Sequence, residues 1–274
     1  MKKRGLVLTA DDFGIAPGVS RAICELLELG HLSATGCMVV SPHFPTTAPW
    51  LRPYLDRADI GLHVTLTHDR SLPSLMRDAF LHRLDPLTIR SAIETQVQRF
   101  EQALGRPPAY LDGHHHVHQL PLVSEVVVDV ATRLGAYVRV TDEALKTIGQ
   151  VGVACGKAAL LSALARPFAR EVHARGLQRN HGFRGARPAS TRRPFRDLFR
   201  RMIRQAPAGT ILMCHPGHID AALRAADTLV DSREEEFRYL ASTALSDDLT
   251  TEGLSLARLV DALSEGGPTG HGRS

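Results

Sequence analysis

The sequence predicts an α/β fold, (β/α)-barrel-like, on three observations. Short continuous apolar runs recur along the chain, as buried parallel strands require. Segments with helical apolar spacing follow most of these runs, the alternation from which parallel sheets are built. The candidate catalytic groups gather where the runs end, and sites in such folds form at the C-terminal ends of the strands. With 274 residues, 43% of them apolar, the chain is long enough for one large core. Residues 1–265 are expected to form one domain, and 266–274, rich in glycine and polar residues, a disordered tail in which His271 is idle.

The first run is Gly5-Leu-Val-Leu-Thr-Ala10, ending in Asp11-Asp12-Phe13-Gly14. Two adjacent carboxylates at the end of a buried strand are costly unless paired or metal-bound. Pro17 opens a helix through about Leu29, with Val19, Ala22, Ile23, Leu26 and Leu27 at helical spacing and Gly30 as its stop. Ala34 to Val40 is the second strand, and Pro45 to Leu55 a short helix limited by Pro49 and Pro53. Asp59 to Leu66 is the third strand and carries His63. Thr67 to Pro86 shows little periodicity and reads as a long functional loop or lid. Leu87 to Leu104 is a helix with Ile89, Ile93, Val97, Phe100 and Leu104 on one face and Gly105 as its stop.

Tyr110 begins the fourth strand, which runs into four histidines within nine residues, His114, His115, His116 and His118, beside Asp112. Imidazole is the commonest metal ligand, and a cluster of this kind marks a metal or catalytic site. A helix from Val123 to Leu134, closed by Gly135, precedes a short strand, Tyr137 to Val140, that carries Arg139. Cys155 to Arg175 is helical with an irregularity at Pro167, and Gly176 to Gly185 a short strand and glycine-rich loop. Ser190 to Gln205 is amphipathic, with Phe195, Leu198, Phe199, Met202 and Ile203 as its buried stripe. Gly209 to Gly217 is the last clear buried strand and delivers His215. Arg233 to Leu245 and Gly253 to Leu263 are closing helical or mixed segments.

The net charge of +4 is local in origin, because twelve arginines fall between Arg166 and Arg204. A basic nucleic-acid-binding module built on that segment is one alternative, but it leaves the His and Asp array unexplained, so no nucleic-acid partner is expected. The arginines read as the solvated face of a barrel helix, with peripheral contact to an anionic membrane as the alternative. Cys24, Cys37, Cys155 and Cys214 lack metal-type spacing and read as buried free thiols of a reducing compartment. No apolar stretch is long enough to cross a membrane, and the apolar run after the basic start breaks at Asp11, as a strand and not a signal peptide would. A cytoplasmic location follows as an expectation, and a homodimer is left open.

Asp11/Asp12, His63, the 112–118 cluster and His215 thus share one structural place, and the chemistry they suit is metal-assisted hydrolysis. A carboxylate and two imidazoles can hold one divalent ion, a second carboxylate can take a proton from water, and an opposing histidine can protonate a leaving group. Spacing alone leaves the ligand open. In a strand His114 and His116 would share a face, and in a helical turn His114 and His118 would. A metal phosphoesterase is a further alternative, but it would want more bridging carboxylates for two ions. No nucleophile elbow or Walker-type loop is present.

Thr9-Ala-Asp-Asp-Phe-Gly14, Gly61-Leu-His63, Leu111-Asp-Gly-His-His-His-Val-His118 and Met213-Cys-His-Pro216 together resemble the YdjC-like deacetylase family, which includes chitooligosaccharide and hopanoid-biosynthesis-associated deacetylases. The resemblance runs in order from about residue 5 to 220. It implies an irregular or incomplete TIM-type barrel and metal-dependent removal of N-acetyl groups from an amino sugar, in an oligosaccharide or a glycolipid. By motif it implies Asp12, His63 and His114 as ligands of one divalent ion, magnesium or zinc. It implies Asp11 as general base and His215 as general acid, with Arg139 and Asp112 binding substrate or supporting these groups.

Overall fold

In a computed structural model of the chain, residues 3–142, 156–186, 193–227 and 230–264 are described. The expected tail and Cys155 lie outside them. The strands are β1 (Arg4–Phe13), β2 (Ala34–Cys37), β3 (Asp59–Val64), β4 (Tyr110–Gly113), β5 (Tyr137–Val138), β6 (Gly182–Arg184), β7 (Thr210–Cys214) and β8 (Leu254–Leu256). All pairings are parallel, in the order β5-β4-β3-β2-β1-β7-β6, with β8 pairing to the start of β1. The sheet curls into an incomplete (β/α)-barrel. Its edges approach through an isolated parallel bridge between Val138 and Arg179. Beside that bridge the buried Asn180 acts as a substitute for backbone. Its side-chain oxygen accepts from Val140 N–H, and its amide donates to the carbonyls of Val140 and Gly182.

The helices are α1 (Pro17–Glu28), α2 (Phe44–Thr47), α3 (Leu72–Phe80), α4 (Pro86–Leu104), α5 (Val123–Leu134), α6 (Gly156–Ala174), α7 (Phe195–Ile203), α8 (Ala221–Ala226), α9 (Val230–Leu240), α10 (Ala244–Thr251) and α11 (Leu259–Ser264), with 3₁₀ segments at Ala48–Tyr54 and His114–Gln119. Two expectations need correction. The 67–86 segment is not structureless, because α3 forms within it. Ser71 caps that helix by accepting from Ser74 N–H, a proline sits in the first turn, and Leu75 and Ala79 are buried. The 253–263 segment contains β8, only three residues long, which takes its partner from β1 and not from a local pattern. The stripe predicted for 195–203 is buried as read.

Two apolar clusters separate the inside of the barrel from its outside. The larger lies between strands and helices. The smaller fills the barrel with Val7, Ala34, Tyr110, Tyr137, Phe183, Ile211 and Met213, closed below by Leu259 and Ala262 of α11. Alternation along each strand sends these residues and the candidate site residues to the same inner face. Close approach demands glycine at several places, among them Gly5 and Gly61. A Cβ at Gly5 would lie 2.7 Å from Ala262 Cα, and one at Gly61 would collide with the Tyr110 ring. Tyr110 stacks on Tyr137 at 5.0 Å, so the ring has little room to retreat. Gly61→Ala is therefore expected to destabilise the fold by about 1–3 kcal/mol, the usual range for overpacking. Tyr110→Leu in the same chain should recover part of the loss, as urea denaturation of the single and double variants would measure.

Candidate active site

The site forms at the C-terminal ends of β1, β3, β4 and β7. Neighbouring strand residues ordinarily face opposite ways, yet Asp11 meets Arg139 and Asp12 meets His114 at the same strand end. The register of β1 on β2 shifts between Ala10 and Phe13, and Asp12 takes a left-handed backbone with φ 69°. That conformation is uncommon outside glycine and best tolerated by Asn and Asp. The turn that would bring both carboxylates to one place is thus present.

The histidine run forms neither a strand nor a regular helical turn. The chain leaves β4 at Gly113, and His115 and His116 both adopt left-handed φ, 54° and 59°. This scatters the four rings. His114 turns inward, with Nδ1 3.1 Å from Asp12 Oδ1, and His115 is exposed. His116 packs edge-on to Phe183 and His118 edge-on to Phe168. His118 Nε2–H donates to the Arg139 carbonyl at 2.8 Å. Burial, with the charges of His118 and Arg139, holds His116 well below the ordinary imidazole range. Burial likewise brings His118 down to about 4 against the pull of Asp112.

Of the expected ligands, Asp12 Oδ1 lies 3.5 Å from His63 Nε2 and 3.1 Å from His114 Nδ1. One oxygen and two imidazole nitrogens thus converge within 4.8 Å of one another, a donor set that fits a divalent ion. His63 is cross-strand partner to Asp112, and its Nδ1–H donates to Asp112 Oδ1 at 2.7 Å. That bond leaves Nε2 facing Asp12, the carboxylate–histidine arrangement common behind metal ligands. His114 is 20% exposed where Asp12 is 2%, so the site opens on the His114 side.

A second candidate set, Asp11, His63 and Asp112, already holds a cation of the chain's own. Arg139 donates to both Asp11 oxygens, NH1 at 2.8 Å and NH2 at 2.6 Å, and ion-pairs with Asp112 Oδ2. Burial pushes the Asp11 carboxyl up, but Arg139, His63 and His215 outweigh it and hold it at about 2. Asp12 is likewise raised by burial and lowered further by Arg233 and His114, to well below the carboxylate range. His215 follows directly after β7, whose last pair on β1 sets Cys214 beside Ala10, so it stands level with Asp11. Burial brings its imidazole down, against the opposing charge of Asp12.

Two contributors were missed in the sequence. Arg233 donates to Asp12 Oδ2 at 2.6 Å, and Glu236 Oε2 accepts from the His215 backbone N–H at 2.6 Å. Both lie in a charged stretch, Ser232-Arg-Glu-Glu-Glu236, that looks like a solvated helix face and offers no local signal. The arginine-rich α7 is also less free than expected, because Arg196 and Arg200 pair with Asp248, at 2.9 Å and 3.6 Å.

Fold and site together define an incomplete (β/α)-barrel with a buried Asp/His cluster at its strand ends that could hold a cation. The chain belongs to the YdjC-like protein family, whose model matches residues 5–251. Chitooligosaccharide deacetylases of Yersinia pestis and Yersinia pseudotuberculosis are 27% identical to it over 270 residues, covering 93% of this chain and 98% of theirs. A crystal structure of a candidate cellobiose-phosphate cleavage protein from Enterococcus faecalis superposes with a TM-score of 0.71 at 19% identity, covering 95% of this chain and 99% of that one. A CE4 family pseudoenzyme from Bacillus anthracis superposes at 0.51 with 13% identity, over 95% of this chain and 66% of that one. These two likenesses concern the fold. No helix among the described residues is long and apolar enough to cross a membrane.

His63 supplies a pH test. Burial alone would lower its pKa, but Asp112, Asp11 and Asp12 raise it to about 9. A raised imidazole stabilises the fold fully below its unfolded pKa of about 6.5 and loses that contribution as pH rises through the folded value. Chelator-treated protein should therefore lose thermal stability between about pH 6.5 and 9, and His63→Gln should flatten that slope. A cation must displace the same proton, so apparent Zn²⁺ affinity should strengthen by up to about tenfold per pH unit over this window. Calorimetry in buffers of different ionisation enthalpy would count the proton released.

Proposed function

We propose that this chain is a divalent-metal-dependent N-deacetylase acting on an N-acetylated amino sugar, in an oligosaccharide or a glycolipid. The observation that carries the reading is the convergence of Asp12 Oδ1, His63 Nε2 and His114 Nδ1 beside a second carboxylate, Asp11, held by a buried arginine. The near full-length similarity to chitooligosaccharide deacetylases supports amide hydrolysis on a sugar. Asp12, His63 and His114 would hold one ion, of magnesium or zinc type. When bound, it supplies Lewis-acid stabilisation of oxygen charge.

The chain's own residues then divide the work. Asp11 takes a proton from the attacking water as the new C–O bond to the acetyl carbon forms. Arg139 keeps both Asp11 oxygens in place, and it shares its charge with Asp112, so Asp11 is aimed without being its only partner. His215 gives a proton to the amide nitrogen as the C–N bond breaks, releasing acetate and the free amine. Its lowered pKa makes the charged imidazole a stronger acid toward that nitrogen. Asp11 returns its proton to solvent and His215 is reprotonated from it, so the cycle closes with one water consumed. The two alternatives are weakened. A two-metal phosphoesterase needs ions ~3.5–4 Å apart, and Arg139 already occupies the second carboxylate pair. A basic nucleic-acid surface is weakened by the commitment of Arg196 and Arg200 to Asp248.

Acetate release from N-acetylated chitooligosaccharides should disappear with chelator and return with a divalent ion. Asp11→Asn should retain the ion and lose about 10²–10⁴-fold in rate, the range for a general base. Asp12→Asn should lose the ion as well, and asparagine accepts the left-handed backbone, so the change isolates ligand chemistry. Elemental analysis beside turnover decides between them. An Asp11→Asn protein that sheds the ion while Asp12→Asn keeps it would reverse the roles, and full activity in both would end this mechanism.

A further inference from the structure

The helix α9 touches both halves of the site from behind. Arg233 and Glu236 are three residues apart and so share one helix face. Both are buried, at 4% and 1% exposure, which is rare for charged residues without a task. Arg233 is the more constrained. Its NH2 donates to Asp12 Oδ2 at 2.6 Å and its Nε to Asp227 Oδ2 at 2.7 Å. Its carbonyl accepts from Gly217 N–H at 3.1 Å, in the loop just past His215. Its NH1 is buried with no hydrogen-bond partner among the described residues. A purely stabilising arginine would not be expected to leave such a group unpaired.

The split on Asp12 is the informative part. Oδ2 is taken by Arg233, while Oδ1 alone faces His63 Nε2 and His114 Nδ1. A left-handed residue at a strand end has no sheet pairing to fix its side chain, so the guanidinium supplies that constraint. Glu236 does the parallel service for His215 by binding its backbone N–H at 2.6 Å.

We infer that α9 is the positioning element of the active site: Arg233, braced by Asp227, limits Asp12 to one oxygen toward the cation, and Glu236 sets the His215 loop. The inference rests on the deacetylase reading above and assigns neither residue a chemical step. The test titrates chelator-stripped full-length protein with Zn²⁺ and with Mg²⁺ by calorimetry, checks folding by near-UV circular dichroism, and measures kcat and KM for acetate release. Arg233→Met should bind the cation about 10–100-fold more weakly while folded, the usual cost of losing a group behind a ligand. Arg233→Lys should recover part of this, because an ammonium lacks the fork that reaches Asp12 and Asp227 together. Glu236→Leu should keep the parent's cation affinity and lower kcat with KM unchanged. If Arg233→Met does not fold, Asp227→Asn takes its place and should show a smaller loss of cation affinity. A folded Arg233→Met, or in its place Asp227→Asn, that binds the cation as tightly as the parent overturns the inference alone. So does a Glu236→Leu protein with the parent's kcat. A parent protein that takes up neither ion overturns the deacetylase reading and this inference with it.

Discussion

Buried charge at the mouth of an apolar barrel is the constraint on which the rest of the structure depends. Asp11, Asp12 and Asp112 are all essentially inaccessible to solvent. Unpaired carboxylates in such a place would be neutralised by protonation or would unfold the chain. The molecule meets the constraint with cations brought from distant sequence. Arg139 arrives beside Asp11 and Asp112 from the end of β5, and Arg233 beside Asp12 from α9. Three carboxylates against two guanidiniums leave one negative charge, and against the effect of burial those carboxylates raise the His63 imidazole to about 9, so that its proton offsets it.

The same constraint accounts for local backbone choices that would otherwise be defects. Asp12, His115 and His116 all adopt left-handed backbone conformations, each of which costs free energy for a residue with a side chain. At Asp12 the conformation lets two successive carboxylates serve one site. In the histidine run it sends His114 to the cation side and His118 to a carbonyl of the residue that clamps Asp11. One short loop thus contributes a ligand candidate and also supports the arginine that aims the proposed base. His118 touches the site through Arg139 and not through Asp12.

The scaffold side of the barrel is held by different means. Asp59 at the start of β3 accepts from Tyr137, Arg258 and the Leu259 backbone, tying α11 to the barrel floor. Asp248 does similar work outside, gathering Arg196, Arg200 and Tyr239. Polar networks of this kind tie distant segments together at the floor and flank of the barrel, away from its mouth. The second of them engages two of the arginines of the basic segment, Arg196 and Arg200.

The amino-acid sequence by itself determined the barrel class and placed Asp11, Asp12, His63, Asp112 and His215 at strand ends, because apolar runs mark buried strands and polar residues at their ends mark the mouth, whereas Arg139 was singled out only by the family resemblance. It also held the signals for α3, Ser71 and a following proline before helically spaced apolar residues, although weak periodicity obscured them. It could not decide which histidine of the cluster meets Asp12, since that depends on two left-handed residues that neither strand nor helix periodicity encodes. Nor could it reveal β8, whose three residues are a strand only because β1 offers an edge. Arg233 and Glu236 belong to the same class. On paper they are two charges in a charged helix. Only the packing of α9 among α1, α7 and α10, with its bonds to Asp12 and the His215 backbone, buries them, and burial is what turns an ordinary charge into a constraint on its neighbours.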